Sequence, residues 1–156
     1  MTAGNIASIA VLAIVILVFV WILLKFRKPD ITKLYVSKPL LTERESKFYR
    51  KLLPVANKAG LTVCMKVRLA DLIEPKPKDE NPMWMECFNK IKSKHIDFVL
   101  INKNAEPVFL IELDDKTHSR PDRIERDDFV NAVLKNTGYV LLRTYGDITI
   151  IENAIS

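Results

Sequence analysis

The ten residues FLIELDDKTH, Phe109 to His118, place three carboxylates and a histidine at the end of an apolar run. The run reads as a strand, in which side chains two apart share a face, so Glu112 and Asp114 point one way and Leu113 the other. Asp97, in HIDFVLINK, joins them if that segment pairs with VFLIEL. Three carboxylates at one sheet edge repel and raise one another's pKa values unless a divalent cation neutralises them. An all-oxygen set suits Mg²⁺ or Mn²⁺, with Mg²⁺ keeping several waters and sharing its shell with substrate phosphates. The competing reading is local: Asp114 and Asp115 open a polar loop, where aspartates serve turns and caps, and Asp97 is an ordinary strand-start residue.

Positioning these groups falls to the elements around them. In LLTERESKFYRKLLPVANKAG, Thr42 followed by Glu45 is a capping-box pattern, and Phe48, Leu52 and Val55 or Ala59 continue one helical face. A helix is predicted from about Glu43 to Lys58, through Pro54, with Gly60 ending it. Leu61, Val63, Met65 and Val67 alternate with polar or small residues, which predicts a strand with one buried face. The polar, Pro-rich EPKPKDENP, residues 74–82, is a loop, and MWMECFNKIKSK a short helix. Two nearly continuous apolar runs, HIDFVLINK and PVFLIELDD, read as strands covered on both faces and joined by the turn NAEP. After KTHSRP comes a helix, DRIERDDFVNAVLKNTG, capped by Asp122 and stopped by Gly138. YVLLRTY supplies a last strand, and DITIIENAI is ambiguous. The order predicts an α/β domain, one mixed sheet flanked by helices.

Ile6 to Leu24 contains no charged residue, and its 19 residues span roughly 28 Å as a helix. A cleaved signal peptide would want a basic n-region and a shorter apolar core, so the span reads as an uncleaved transmembrane anchor. Lys25, Arg27, Lys28, Lys33 and Lys38 all follow it and none precedes it, which predicts a single-pass inner-membrane protein with its N-terminus outside and its domain cytoplasmic. Cys64 and Cys87 suit that reducing side. The predicted organisation is a tail over 1–5, the transmembrane helix over 6–24, a basic linker over 25–39, the domain over 40–150 and a C-terminal tail over 151–156. The net charge of +5 is mostly the linker's, which carries five basic residues and one acidic. Anionic headgroups explain it without nucleic acid.

Asp97, Glu112 fifteen positions on, Asp114 and His118, followed by a helix and YVLLR, resemble the PD-(D/E)XK nuclease superfamily. The similarity is strongest to the branch of the very-short-patch-repair endonuclease. The chain also resembles an uncharacterised bacterial family of unknown function marked by LLTxxExxFY, KxxDFVL and IELDDxxH, over about residues 38–147. The resemblance implies a restriction-endonuclease-like fold, with Asp97 and Glu112 as metal ligands and the Leu113 carbonyl as a third oxygen. It matches Glu45 to an acidic residue aimed at the site, where the capping box is the alternative. One departure matters: the superfamily's lysine belongs two residues after the acid, and here that position is Asp114.

His118 is therefore the candidate general base, and Lys116, which shares the parity of Glu112 and Asp114 if the strand extends that far, could supply the missing cation. Arg120, Arg123 and Arg126 could bind phosphates, with Asp127 holding one of them or His118 in place; a solvated helix face is the alternative for Arg123 and Arg126. Arg143 ends an apolar strand near the same edge, where an unpaired charge would be costly. His95 begins a strand and reads as a surface residue. The function expected is a membrane-anchored, Mg²⁺- or Mn²⁺-dependent nuclease acting on nucleic acid, DNA ahead of RNA. The alternatives are a catalytically inactive nucleic-acid or protein binding module, and an interaction protein whose acidic cluster only stabilises a loop.

Overall fold

The computed structural model describes residues 3–25, 30–114 and 121–156, and the chain divides into two compact units, Met1–Lys38 and Pro39–Ser156. The first holds α1 (Ala3–Lys25) and a 3₁₀ turn over Ile31–Leu34. Ser8–Lys25 of α1 is apolar and long enough to cross a membrane.

The second unit is α/β. Its elements are α2 (Glu43–Lys58), β1 (Thr62–Arg68), α3 (Trp84–Ile91), β2 (His95–Ile101), β3 (Pro107–Leu113), α4 (Pro121–Asn136), β4 (Leu141–Thr144) and α5 (Thr149–Ile155). The four strands form one mixed sheet in the order β1-β2-β3-β4, the first three antiparallel and β4 parallel to β3. A parallel neighbour needs a crossover, which α4 supplies.

Helices cover both faces, as the apolar runs of β2 and β3 require. Phe48, Leu52 and Ala56 of α2 pack with Ile151 of α5 against Phe98, Leu100, Ile111 and Leu113. On the other face Ile91 of α3 and Val130 and Leu134 of α4 pack with Val99 and Leu110. The helix expected over Glu43–Lys58 has those bounds, with both capping-box bonds formed, and Gly60 past its end takes φ +70°.

Three expectations need correction. Helix α4 begins at Pro121, whose fixed φ suits a first helical position, so Asp122 lies inside the helix and not ahead of it as its N-cap. The tail expected over 151–156 is largely the end of α5, and Ile151 is fully buried in the core. The β-branched run Thr149 to Ile151 favours a strand locally, but burying Ile151 against the sheet outweighs that propensity.

The third correction concerns β1, where the alternation breaks. Val63 and Met65 face one core but Val67 faces the other, with Cys64. Strand β2 slips at the matching place, since Phe98 and Leu100 face one core and Ile96 the other. The slip centres on Lys66, a non-glycine residue at φ +53°.

The segment after β4 is held from inside. Thr144, 1% exposed, donates through Oγ1 to the Asp147 carbonyl at 2.7 Å and accepts from the Gly146 amide at 3.1 Å. Thr144→Val keeps the shape and removes both bonds, so a loss of about 2 kcal/mol is expected in urea denaturation. An unchanged midpoint would mean that the turn holds without the hydroxyl.

Candidate functional site

Register alone assembles the site. Lys66 lies between the pairs Met65↔Phe98 and Val67↔Ile96, hence opposite Asp97. One step past Phe98↔Ile111 sets Asp97 opposite Glu112, and Glu112 pairs with Arg143. Lys66, Asp97, Glu112 and Arg143 thus form one row across all four strands, two carboxylates between two cations.

At the β1 end, the Lys66 ammonium donates to Asp97 Oδ1 at 2.8 Å and to Glu45 Oε1 at 2.6 Å. Burial pushes the Lys66 pKa down, but the hydrogen bonds and charges of Asp97 and Glu45 outweigh it and leave it raised. Burial likewise pushes the Glu45 carboxyl up, while Lys66 and the Thr42 amide more than reverse this and hold it low. Glu45 plays both parts considered for it: Oε2 closes the capping box on the Thr42 amide at 2.8 Å while Oε1 holds Lys66.

Asp97 is fixed from a second side. Its Oδ2 accepts from the Leu113 amide at 3.0 Å, so its carboxylate bridges to β3 just past the last paired residues. Beside it, Glu112 is pushed up to about 7, first by burial and then by the charge of Asp97; Arg143 opposes the shift, and Asp114 and Asp127 add to it. This carboxyl changes charge near neutral pH.

At the β4 end, Arg143 Nη1 donates to Asp114 Oδ1 at 2.7 Å and lies 3.8 Å from Asp127 Oδ2 on α4, while Nε donates to Asn131 at 3.3 Å. The charge ending β4 has the carboxylate partners its burial demands. Arg44 of α2 donates to the Asp114 carbonyl. Asp97, Glu112, Asp114, Glu45, Asp127 and Arg143 are therefore gathered at one end of the sheet. Lys116, His118 and Arg120 lie outside the described residues, as do the side chains of Arg123 and Arg126. Among the described residues, no three His, Cys, Asp or Glu side chains are grouped to hold a metal ion, Asp114 being turned to Arg143.

Two site residues escaped the sequence reading. Lys66 looks like the polar half of an alternating strand; its register places it opposite Asp97, but its φ of +53° and the change of face at this pair are not visible in the alternation. Arg44 follows the N-cap directly and reads as a solvated first-turn residue.

A family model described as protein of unknown function, DUF2726, matches residues 37–155. The chain belongs to the DUF2726 family. No curated protein and no solved structure matches it. The match spans every element of the second unit, so the charged row lies wholly inside the DUF2726 domain.

Proposed function

We propose that this DUF2726 chain is a membrane-tethered, divalent-metal-dependent nuclease, with α1 in the inner membrane and the domain on the cytoplasmic side. The observation that carries the reading is the row itself, in which Asp97 and Glu112 face each other across neighbouring strands and Glu112 gives up its proton only near pH 7. Such a pair suits a divalent cation, since Mg²⁺ is commonly held by one or two carboxylates, with waters and substrate phosphate completing the shell. Asp97 and Glu112 would hold it, with the Leu113 carbonyl as the further oxygen implied by the resemblance. When bound, Mg²⁺ or Mn²⁺ supplies polarisation of the phosphate and a more acidic water. The mixed sheet covered by helices agrees with the restriction-endonuclease-like fold that the resemblance implies.

The chain's own residues do the rest. Lys66 answers the departure at Asp114: it brings a cation to the acidic pair from β1 instead of β3, and with Glu45 and Asp97 as anchors it is oriented to bind a phosphate oxygen. Arg143 anchors Asp114 and damps the repulsion felt by Glu112. His118 is the assigned base, with Lys116 the alternative.

Full-length protein in detergent, incubated with labelled single- and double-stranded DNA and RNA in Mg²⁺, Mn²⁺ or EDTA, tests this beside Glu112→Gln. Metal-dependent cleavage that falls at least about a hundredfold in the variant is expected. Absence of cleavage under every condition would sink the nuclease reading. The Lys66–Asp97 ion pair, which already seats a cation at the acidic pair, would then favour the noncatalytic binding module.

A further inference from the structure

A second feature opens beside the row, on the α2 side of the sheet. It is a cleft of about 510 Å³ walled by α2, the end of β3 and the turn after β4. From α2 it is lined by Arg44, Lys47 and Lys51, and from the other side by Leu113, Tyr145 and Gly146. Two of these residues connect it to the row: the Leu113 amide donates to Asp97, and Arg44 donates to the carbonyl of Asp114.

The charge of the cleft is local. Its lining holds three basic side chains against one acid, Glu43, whose ion pair with Lys47 at 2.6 Å is exposed on both sides. An exposed pair of this kind contributes little and yields readily to a competing anion. Arg44, Lys47 and Lys51 follow one another at three and four residues, so they stand along one helix face with about 5–6 Å between neighbouring Cβ atoms. That is on the order of the spacing of successive phosphates in an extended strand. Across from them Tyr145 presents an aromatic ring, 58% exposed, on the turn that Thr144 fixes from inside. A basic track faced by an aromatic platform is how single-stranded nucleic acid is held without sequence preference: the cations follow the backbone and the ring stacks a base. The cleft is the size of a small-molecule pocket, room for a nucleotide or two and not for a duplex.

We infer that this cleft is the substrate track of the domain. It holds a single-stranded phosphodiester chain, phosphates on Arg44, Lys47 and Lys51 and a base against Tyr145, and leads it past Leu113 and round the end of β3 to Asp97 and Glu112. The inference rests on the nuclease reading for what happens at the row, but binding in the track is measurable without cleavage.

The test is fluorescence anisotropy on the full-length protein in detergent and EDTA, with labelled twelve-nucleotide oligo-dT and oligo-U, a duplex of the same length, and polyglutamate as a polyanion that cannot stack. Single strands should bind more tightly than duplex and polyglutamate, and the two sugars should show whether DNA or RNA is preferred. The double variant Lys47→Gln/Lys51→Gln, on exposed positions, should bind at least about tenfold more weakly, with a salt slope lower by about 1.4, two single-strand contacts at 0.7 each. Tyr145→Ala should lose about tenfold with its slope unchanged, the mark of lost stacking. Binding and slope that ignore all three substitutions, or polyglutamate binding as tightly as oligo-dT, would overturn the track. Single-strand binding that responds as expected, without cleavage in Mg²⁺ or Mn²⁺, would leave the track standing and remove only the nuclease chemistry.

Discussion

Above pH 7 the Glu112→Gln domain should be more stable than the wild type, by about 3 kcal/mol once the carboxyl is fully ionised. Glu112 titrates at about 7 in the folded domain against an ordinary value of 4.5. Between those values the folded state keeps a proton that the unfolded chain has released, so stability falls as pH rises. The favourable contribution of the protonated form is complete below about 4.5 and lost by the time pH has climbed through 7. Burial is the main cause and Asp97 the second, and glutamine removes both penalties because it carries no charge. Urea unfolding of both proteins at pH 5 and pH 8 measures it: the wild type should weaken relative to the variant between the two. Parallel behaviour would show that Glu112 ionises as an ordinary carboxyl and would remove the physical reason for a cation beside it. Under the proposed metal reading, Mg²⁺ at a hundredfold excess over its Kd should return about 2.7 kcal/mol to the wild type at pH 8 and far less to the variant.

Lys66 carries the second large effect. Its ammonium sits between Glu45 and Asp97 with all three side chains 15–19% exposed, and removing one partner of such a group leaves the others uncompensated. Lys66→Ala is expected to lose about 3 kcal/mol, toward the lower limit for a broken buried pair because some solvent reaches it. Lys66→Gly removes the same charge but relieves the left-handed backbone at φ +53°, so it should lose about 1 kcal/mol less than alanine. In most strands glycine is the worse replacement, so the reversed order is diagnostic. If glycine proves less stable than alanine, the strain assigned to residue 66 is absent. Under the proposed nuclease reading, both variants should also lose cleavage by at least about a hundredfold, since the cation assigned to the phosphate goes with either.

Local signals survive folding best. The capping box at Thr42 and Glu45, the glycine stops after α2 and α4 and the two continuous apolar runs are decided within a few residues, and each stands where the pattern put it. The meeting of Asp97 with Glu112 was legible too, because it needs only an antiparallel pairing of two strands joined by a short turn. The place of Lys66 was not. Alternation in VCMKVRL is unbroken on paper, and the slip exists only because two strands change face together at the 66–97 pair. Helix α5 was hidden for the opposite reason, a local strand preference reversed by the burial of Ile151. A charge at the end of an apolar strand is costly without a counter-charge, which makes Arg143 legible, and Asp114 and Asp127 are the carboxylates that meet that need.

The two oxygens of Glu45 have one more consequence. One closes the first turn of α2 and the other holds the ammonium that bonds to Asp97. Helix ends are the first parts of a domain to fray, opening at free energies well below that of global unfolding. Here a frayed end also unlatches Lys66. The geometry of the row is thus tied to the persistence of four residues, 42–45, at the edge of the domain, and whatever loosens or tightens that turn adjusts the row without touching a strand of the sheet.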